Sequence, residues 1–175
     1  MKLAKVKGLC QTAGAVVTVQ KDAGLDIRTW VGDGAALYPI RGIKLNAEEV
    51  RSLWDMDPDK VMAREVAAEG NVLSMLDGAD IIIDGEHTGI EEICDINGML
   101  MLYDTNREKS ILIDTKYLAP CNNKDRSFVW LEGTGGAAVY GQGVLEGIVM
   151  PIEWTGEAME AVLGKLALIY SRERG

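Results

Sequence analysis

A chain of 175 residues with 47% hydrophobic and 26% charged side chains has apolar mass for one self-sufficient core. Its 27 acidic and 18 basic residues leave a net charge of −9, which excludes a protein that coats nucleic acid over its whole surface and leaves room only for a local basic face. Three widely spaced cysteines (Cys10, Cys94, Cys121), one histidine and no apolar run of roughly 18 residues exclude a zinc framework and a membrane-spanning helix.

Residues 2–12 place Leu3, Val6, Leu9 and Cys10 at helical spacing, with Lys2, Lys5 and Lys7 on the other faces. Residues 15–20 (AVVTVQ) read as a strand, 21–24 (KDAG) as a turn, and 25–31 (LDIRTWV) as a half-buried strand. The run Val31-Gly32-Asp33-Gly34 supplies positive φ for a tight hairpin into a strand at 35–40, where Pro39 marks an end or a sheet edge. Asn46 and Glu49 form a capping box for a helix whose apolar stripe is Val50, Leu53 and Trp54. Residues 60–68 read as a strand, 71–80 as a strand or short helix, and 81–84 as a buried strand. Residues 85–98 read as an acidic connection with one helical turn capped by Thr88. Strands follow at 99–104 and 110–114, then a helical turn and the β-rich stretch 127–152. A last helix is predicted at 156–172, with Met159, Val162, Leu163, Leu166, Ile169 and Tyr170 as apolar positions suited to core packing or a contact between copies.

The beginning and end of the chain echo each other. Both run helical turn, strand, Gly turn, strand, Gly-[Asp/Gln]-Gly turn, strand ending Pro-Ile, capped helix; Pro39-Ile40 matches Pro151-Ile152, and Gly32–Gly34 matches Gly141–Gly143. The reading is therefore an α+β chain of mostly antiparallel sheets with a few short helices. It forms one domain over 1–175 with βαβββ-like pseudo-halves at 1–56 and 111–170, a connecting β segment at 57–110 and a C-terminal helix.

The second copy resembles the closing half-domain of the bacterial DNA sliding clamp, the β subunit of the replicative polymerase. The residues that carry this are Ile113, the Tyr117-Leu118 pair opening a helix, and Val149-Met150-Pro151 closing the last strand. The stretch Trp30–Leu37 (WVGDGAAL) is similar to the clamp segment that turns through an Asp-Gly pair. The resemblance spans about half the chain, which is much shorter than a three-domain clamp, and Pro120 shortens the second helix. It implies a non-enzymatic protein of DNA metabolism, or of a phage or other mobile element, with protein partners and no cofactor. DNA would be met by the basic residues of the two matching helices, Lys2, Lys5 and Lys7 on one and Lys116, Lys124 and Arg126 on or after the other.

Two other chemistries are written in the residues. Exposed acidic clusters at Asp55, Asp57 and Asp59 and at Glu86, Glu91, Glu92 and Asp95 suit a mimic of nucleic acid that inhibits a nuclease or defence complex. Asp104, Asp114 and Lys116 follow the D…D-x-K pattern of magnesium-dependent nucleases, in which two carboxylates converge on the ion and the lysine helps activate water. In the competing reading Asp114 caps the turn that follows its strand. The N-terminal segment lacks an apolar signal-peptide core, so the expected compartment is the cytoplasm, with no membrane contact.

Overall fold

The computed structural model describes residues 1–21, 27–69, 72–76, 79–82, 90–122, 125–131 and 135–152, with Glu160 and Gly164; for 20–21, 27–28, 64–69, 72–76 and 79–82 the description is of the backbone alone. The helix predicted at 156–172, apart from those two residues, and most of the turn at 21–24 lie outside the described residues.

Helix α1 (Leu3–Ala13) turns Val6 and Cys10, one helical turn apart, into the core. Gly14 closes it by donating its N–H to the Cys10 carbonyl. Three strands follow, β1 (Ala15–Lys21), β2 (Ile27–Gly32) and β3 (Ala36–Arg41). Helix α2 (Ala47–Trp54) carries the expected capping box, with Asn46 Oδ1 accepting from Glu49 N–H and Glu49 Oε2 accepting from Asn46 N–H. It buries Val50 and Trp54 and stops at Asp55, whose backbone is left-handed. A 3₁₀ turn at Pro58–Lys60, capped by Asp57, leads into β4 (Val61–Glu69), β5 (Val72–Leu76) and β6 (Ala79–Ile82). Strands β7 (Ile90–Ile96), β8 (Met99–Asp104) and β9 (Lys109–Asp114) form a meander, followed by a 3₁₀ turn at Thr115–Leu118. The chain then runs through β10 (Arg126–Trp130), β11 (Ala137–Gly141) and β12 (Val144–Val149).

The architecture is α+β and mostly antiparallel. A nine-stranded sheet has the order β10-β11-β12-β3-β2-β1-β4-β5-β6, and β7-β8-β9 form a separate three-stranded sheet. The one parallel pairing among the described strands joins β1 to β4. Pro39 does not place β3 at an edge. β3 is central, but its ladder with β12 covers only Ala36 and Leu37, so the missing Pro39 N–H falls beyond that ladder.

The middle of the large sheet is buried on both faces, which is why β11 is buried along its whole length and reads as a continuous apolar run. One face carries Val17, Val31, Tyr38, Phe128, Val139 and Val149 into the main core with both helices and with Leu100, Leu102, Ile111 and Ile113 of the smaller sheet. The other face gathers Trp30, Leu37, Val129, Leu131, Ala138, Tyr140, Leu145 and Ile148. Thr18 and Trp30 are direct cross-strand partners and fully buried. Among the described residues, neither Thr18 Oγ1 nor Trp30 Nε1 has a hydrogen-bond partner. An unpaired buried hydroxyl costs about 1–3 kcal/mol, so Thr18→Val, which keeps the shape, is expected to raise stability by about 1 kcal/mol and shift the urea midpoint upward.

The matched Pro-Ile dipeptides do not occupy equivalent places. Aligning Pro39 with Pro151 puts Leu37 on Val149, yet Leu37 faces the second cluster and Val149 the main core. Ile40 lies in the main core, whereas Ile152 packs against Ile96 and Leu112 and donates its N–H to the Leu112 carbonyl. Side chains alternate with a period of two along a strand, so that alignment is one residue out of phase.

Candidate functional site

The six basic residues singled out by sequence divide into two groups. Lys2 precedes α1, and Lys5 and Lys7 lie within it, about 200° apart around the axis on either side of the buried Val6–Cys10 stripe. Lys2 and Lys5 are exposed and Lys7 is half-buried; among the described residues none of the three has a carboxylate partner. The start of α1 touches the second helical segment directly, where Lys2 N–H donates to the Pro120 carbonyl at 2.6 Å.

The second group is already engaged. Lys116 Nζ sits 2.7 Å from Asp114 Oδ2 and over the Tyr117 ring at 4.7 Å, and the hydrogen bond to Asp114 holds its pKa above the usual lysine value. Arg126 gives both its Nε and a terminal nitrogen to Glu92 Oε1, at 2.9 and 2.7 Å, and lies over Phe128. That pair ties β10 to β7, 34 residues apart in sequence. Lys124 lies outside the described residues. Among the described members of the two groups, the unpaired positive charge is therefore that of the three α1 lysines.

The fold does not bring the nuclease residues together. Asp104 faces Lys109 and Met99 faces Asp114, so the two carboxylates stand at opposite ends of the β8–β9 hairpin. Five strand steps separate those ends by roughly 16 Å, whereas magnesium needs its oxygens at about 2.1 Å. Each aspartate has a local task. Asp104 is buried and accepts from the N–H groups of Asn106 and Arg107 and from the Arg107 guanidinium at 2.8 Å. Burial opposes its ionisation, but these hydrogen bonds outweigh it and hold the carboxyl below the usual range. Asp114 accepts from Lys116 N–H and caps the turn.

Of the acidic residues, Asp55, Asp57, Asp59, Glu91, Glu92 and Asp95 are exposed, in one group after α2 and another on β7, and Glu86 lies outside the described residues. Asp57 caps the 3₁₀ turn and Glu92 holds Arg126. Among the described residues no group of three His, Cys, Asp or Glu side chains is placed to hold a metal ion, and no helix is long and apolar enough to cross a membrane.

Sequence reasoning missed a hydrogen-bonded chain that couples β3 and the β2–β3 turn to the 3₁₀ turn after β9. Tyr38 Oη on β3 donates to the Tyr117 carbonyl at 2.7 Å, and Tyr117 Oη donates to Asp33 Oδ2 at 3.0 Å. Asp33 Oδ1 in turn accepts from Ala35 and Ala36 N–H and shapes the β2–β3 turn. Burial raises the pKa of both phenols, with Asp33 adding to the rise, so both stay protonated donors. Burial also pushes the Cys10 and Cys121 thiols up to about 12, Asp33 adding to the first and Glu146 to the second, which leaves them as apolar core groups. Glu146 is the other buried carboxylate among the described residues; it accepts from Asn122 N–H and from the Met1 amino group at 3.0 Å.

In comparisons with protein-family models, curated proteins and solved structures, no match to this chain was found.

Proposed function

We propose that the chain is a non-enzymatic scaffold of sliding-clamp-like fold that associates with duplex DNA without reading its sequence. One observation carries the proposal. Two three-stranded meanders, β1-β2-β3 and β10-β11-β12, meet in antiparallel fashion at β3 and β12, giving the central order β10-β11-β12-β3-β2-β1. Each meander follows a helical segment that buries residues in the same core, Val6 and Cys10 from α1, and Leu118 and Cys121 from and just after the 3₁₀ turn. A duplicated half-domain arranged about an axis through the β3–β12 junction would produce this order. The equivalence would lie in the topology and not in the Pro-Ile match. A shift of 111 residues, Leu37 onto Ile148, or 113, Ala36 onto Val149, keeps side chains on the same face, since those residues are cross-strand partners.

In this reading the DNA-facing residues are Lys2, Lys5 and Lys7. Lys116 and Arg126 serve first to fix the second helical segment and β10, because their charges are spent on Asp114 and Glu92. Encircling DNA would take more than one copy, with the C-terminal segment as the proposed contact between them. The expected result is equal affinity for duplexes of unrelated sequence, measured by fluorescence anisotropy. A tenfold preference, about 1.4 kcal/mol, for one short site would contradict the reading.

A second reading draws on the exposed carboxylates Asp55, Asp57, Asp59, Glu91, Glu92 and Asp95, which would let the acidic chain stand in for nucleic acid on a basic partner. The same titration separates the two, since a mimic has no affinity for DNA of its own.

A further inference from the structure

Two exposed patches on the helices are opposite in charge and alike in their apolar centre. On α1, Leu3 leaves 43% of its surface exposed between Lys2 and Lys5, both of them exposed. On α2, Leu53 leaves 65% exposed, with the exposed Glu48 earlier on the helix and the exposed Asp55 just past its end. Among the described residues Lys2, Lys5, Glu48 and Asp55 have no partner of opposite charge. Exposed leucines taken singly are ordinary. Here each patch has its complement on the same chain, and one copy does not bring the two together. Both helices pack on the same core, Val6 and Cys10 from α1 and Val50 and Trp54 from α2. Gln11 Nε2 near the end of α1 donates to the Trp54 carbonyl at the end of α2, at 3.2 Å. The outward sides of the two helices therefore point away from the same face of the large sheet. A twofold axis passing between them sets α1 of each copy against α2 of the other and makes both contacts at once. Both patches are already formed: the Lys2 N–H holds the start of α1 to the Pro120 carbonyl, and α2 is held by its reciprocal cap.

Charge selects the occupant. DNA suits the lysines but is repelled by Glu48 and Asp55, and a partner of uniform charge satisfies only one patch. A second copy satisfies both. We infer that two copies of this chain associate through these helices, Leu3 of each packing on Leu53 of the other and Lys5 pairing with Glu48. The net charge of −9 on each copy opposes their approach at long range, so the pair is weak, with a Kd of about 10–100 µM expected. This contact is separate from the one proposed for the C-terminal segment, and it stands without the DNA reading. Under that reading it covers Lys2 and Lys5, so the second copy competes with duplex for them.

The test is sedimentation equilibrium of the intact protein in reductant at about 3–300 µM, for wild type, Leu53→Ser, Glu48→Lys, Lys5→Glu and the double variant Lys5→Glu with Glu48→Lys. All three side chains are exposed, and thermal midpoints by circular dichroism establish that each variant is folded. The expected result is a wild-type dimer, association weakened roughly tenfold in each single variant, and recovery in the double variant, whose charges are exchanged but still complementary. The readout involves no DNA, so it is independent of the DNA reading. A monomer throughout the range overturns the proposal. So does a dimer that Leu53→Ser and Glu48→Lys leave intact, as one built on the C-terminal segment would be, or a double variant that associates no better than its parents.

Discussion

Gly32→Ala is expected to cost about 3 kcal/mol or more, enough to unfold much of a marginally stable domain. A Cβ at this position would lie 1.7 Å from the Ala36 carbonyl oxygen, 2.7 Å from its carbon and 3.0 Å from the Leu37 Cα. Those are backbone atoms, so relief requires β3 to move, and β3 is the strand that joins the two meanders through Ala36 and Leu37. In the run Val31–Gly34 the expected positive φ falls on Gly34, with φ 92, while Gly32 is required by close approach. Urea unfolding followed by tryptophan fluorescence measures the loss. The contrasting control is Gly42→Ala, where φ is 73 but the space is open, and a cost of about 1 kcal/mol is expected.

Asp104→Ala is expected to cost about 2–3 kcal/mol, because it removes a buried carboxylate with two backbone donors and one guanidinium on it. Arg107 is partly exposed and can be rehydrated, so the loss falls mainly on the Asn106 and Arg107 N–H groups that define the β8–β9 turn. The pH dependence follows from the sign of the shift. With the folded carboxyl held below its unfolded range, the stabilisation is complete above the unfolded pKa near 3.9 and fades as pH falls through the folded value. Acid unfolding of the wild type and of Asp104→Ala should therefore converge at the lowest pH. A constant gap between the two curves would show that the carboxylate is not the source.

Local chemistry made the helices, the capping box at Asn46 and most strands readable, because each rests on residues a few positions apart. The hairpin at β7–β8 was also readable and was missed. Asn97-Gly98 between apolar strands is a strong two-residue turn signal, and both residues take left-handed backbone, φ 52 and 80. The acidic residues of 90–96 and the register shift between Glu92 and Cys94 obscured the alternation of β7. Other features had no local trace. The parallel pairing of β1 with β4 joins segments separated by β2, β3 and α2. The Arg126–Glu92 pair and the Tyr38–Tyr117–Asp33 chain join residues 34 to 84 positions apart. The basic candidates were therefore visible in the sequence, but not which of them the fold neutralises. The nuclease pattern illustrates the same limit in reverse: Asp114 and Lys116 do meet, but the hairpin register keeps Asp104 away from Asp114.

DNA association through the three lysines of the α1 segment is tested most directly by the salt dependence of binding. Affinity for a random duplex should fall with salt at a slope of log K against log salt of about −2.7, as three neutralised phosphates require. The variant carrying Lys2→Gln, Lys5→Gln and Lys7→Gln should bring that slope close to zero. A wild-type protein without measurable DNA affinity, or a variant that keeps the full slope, would contradict the account.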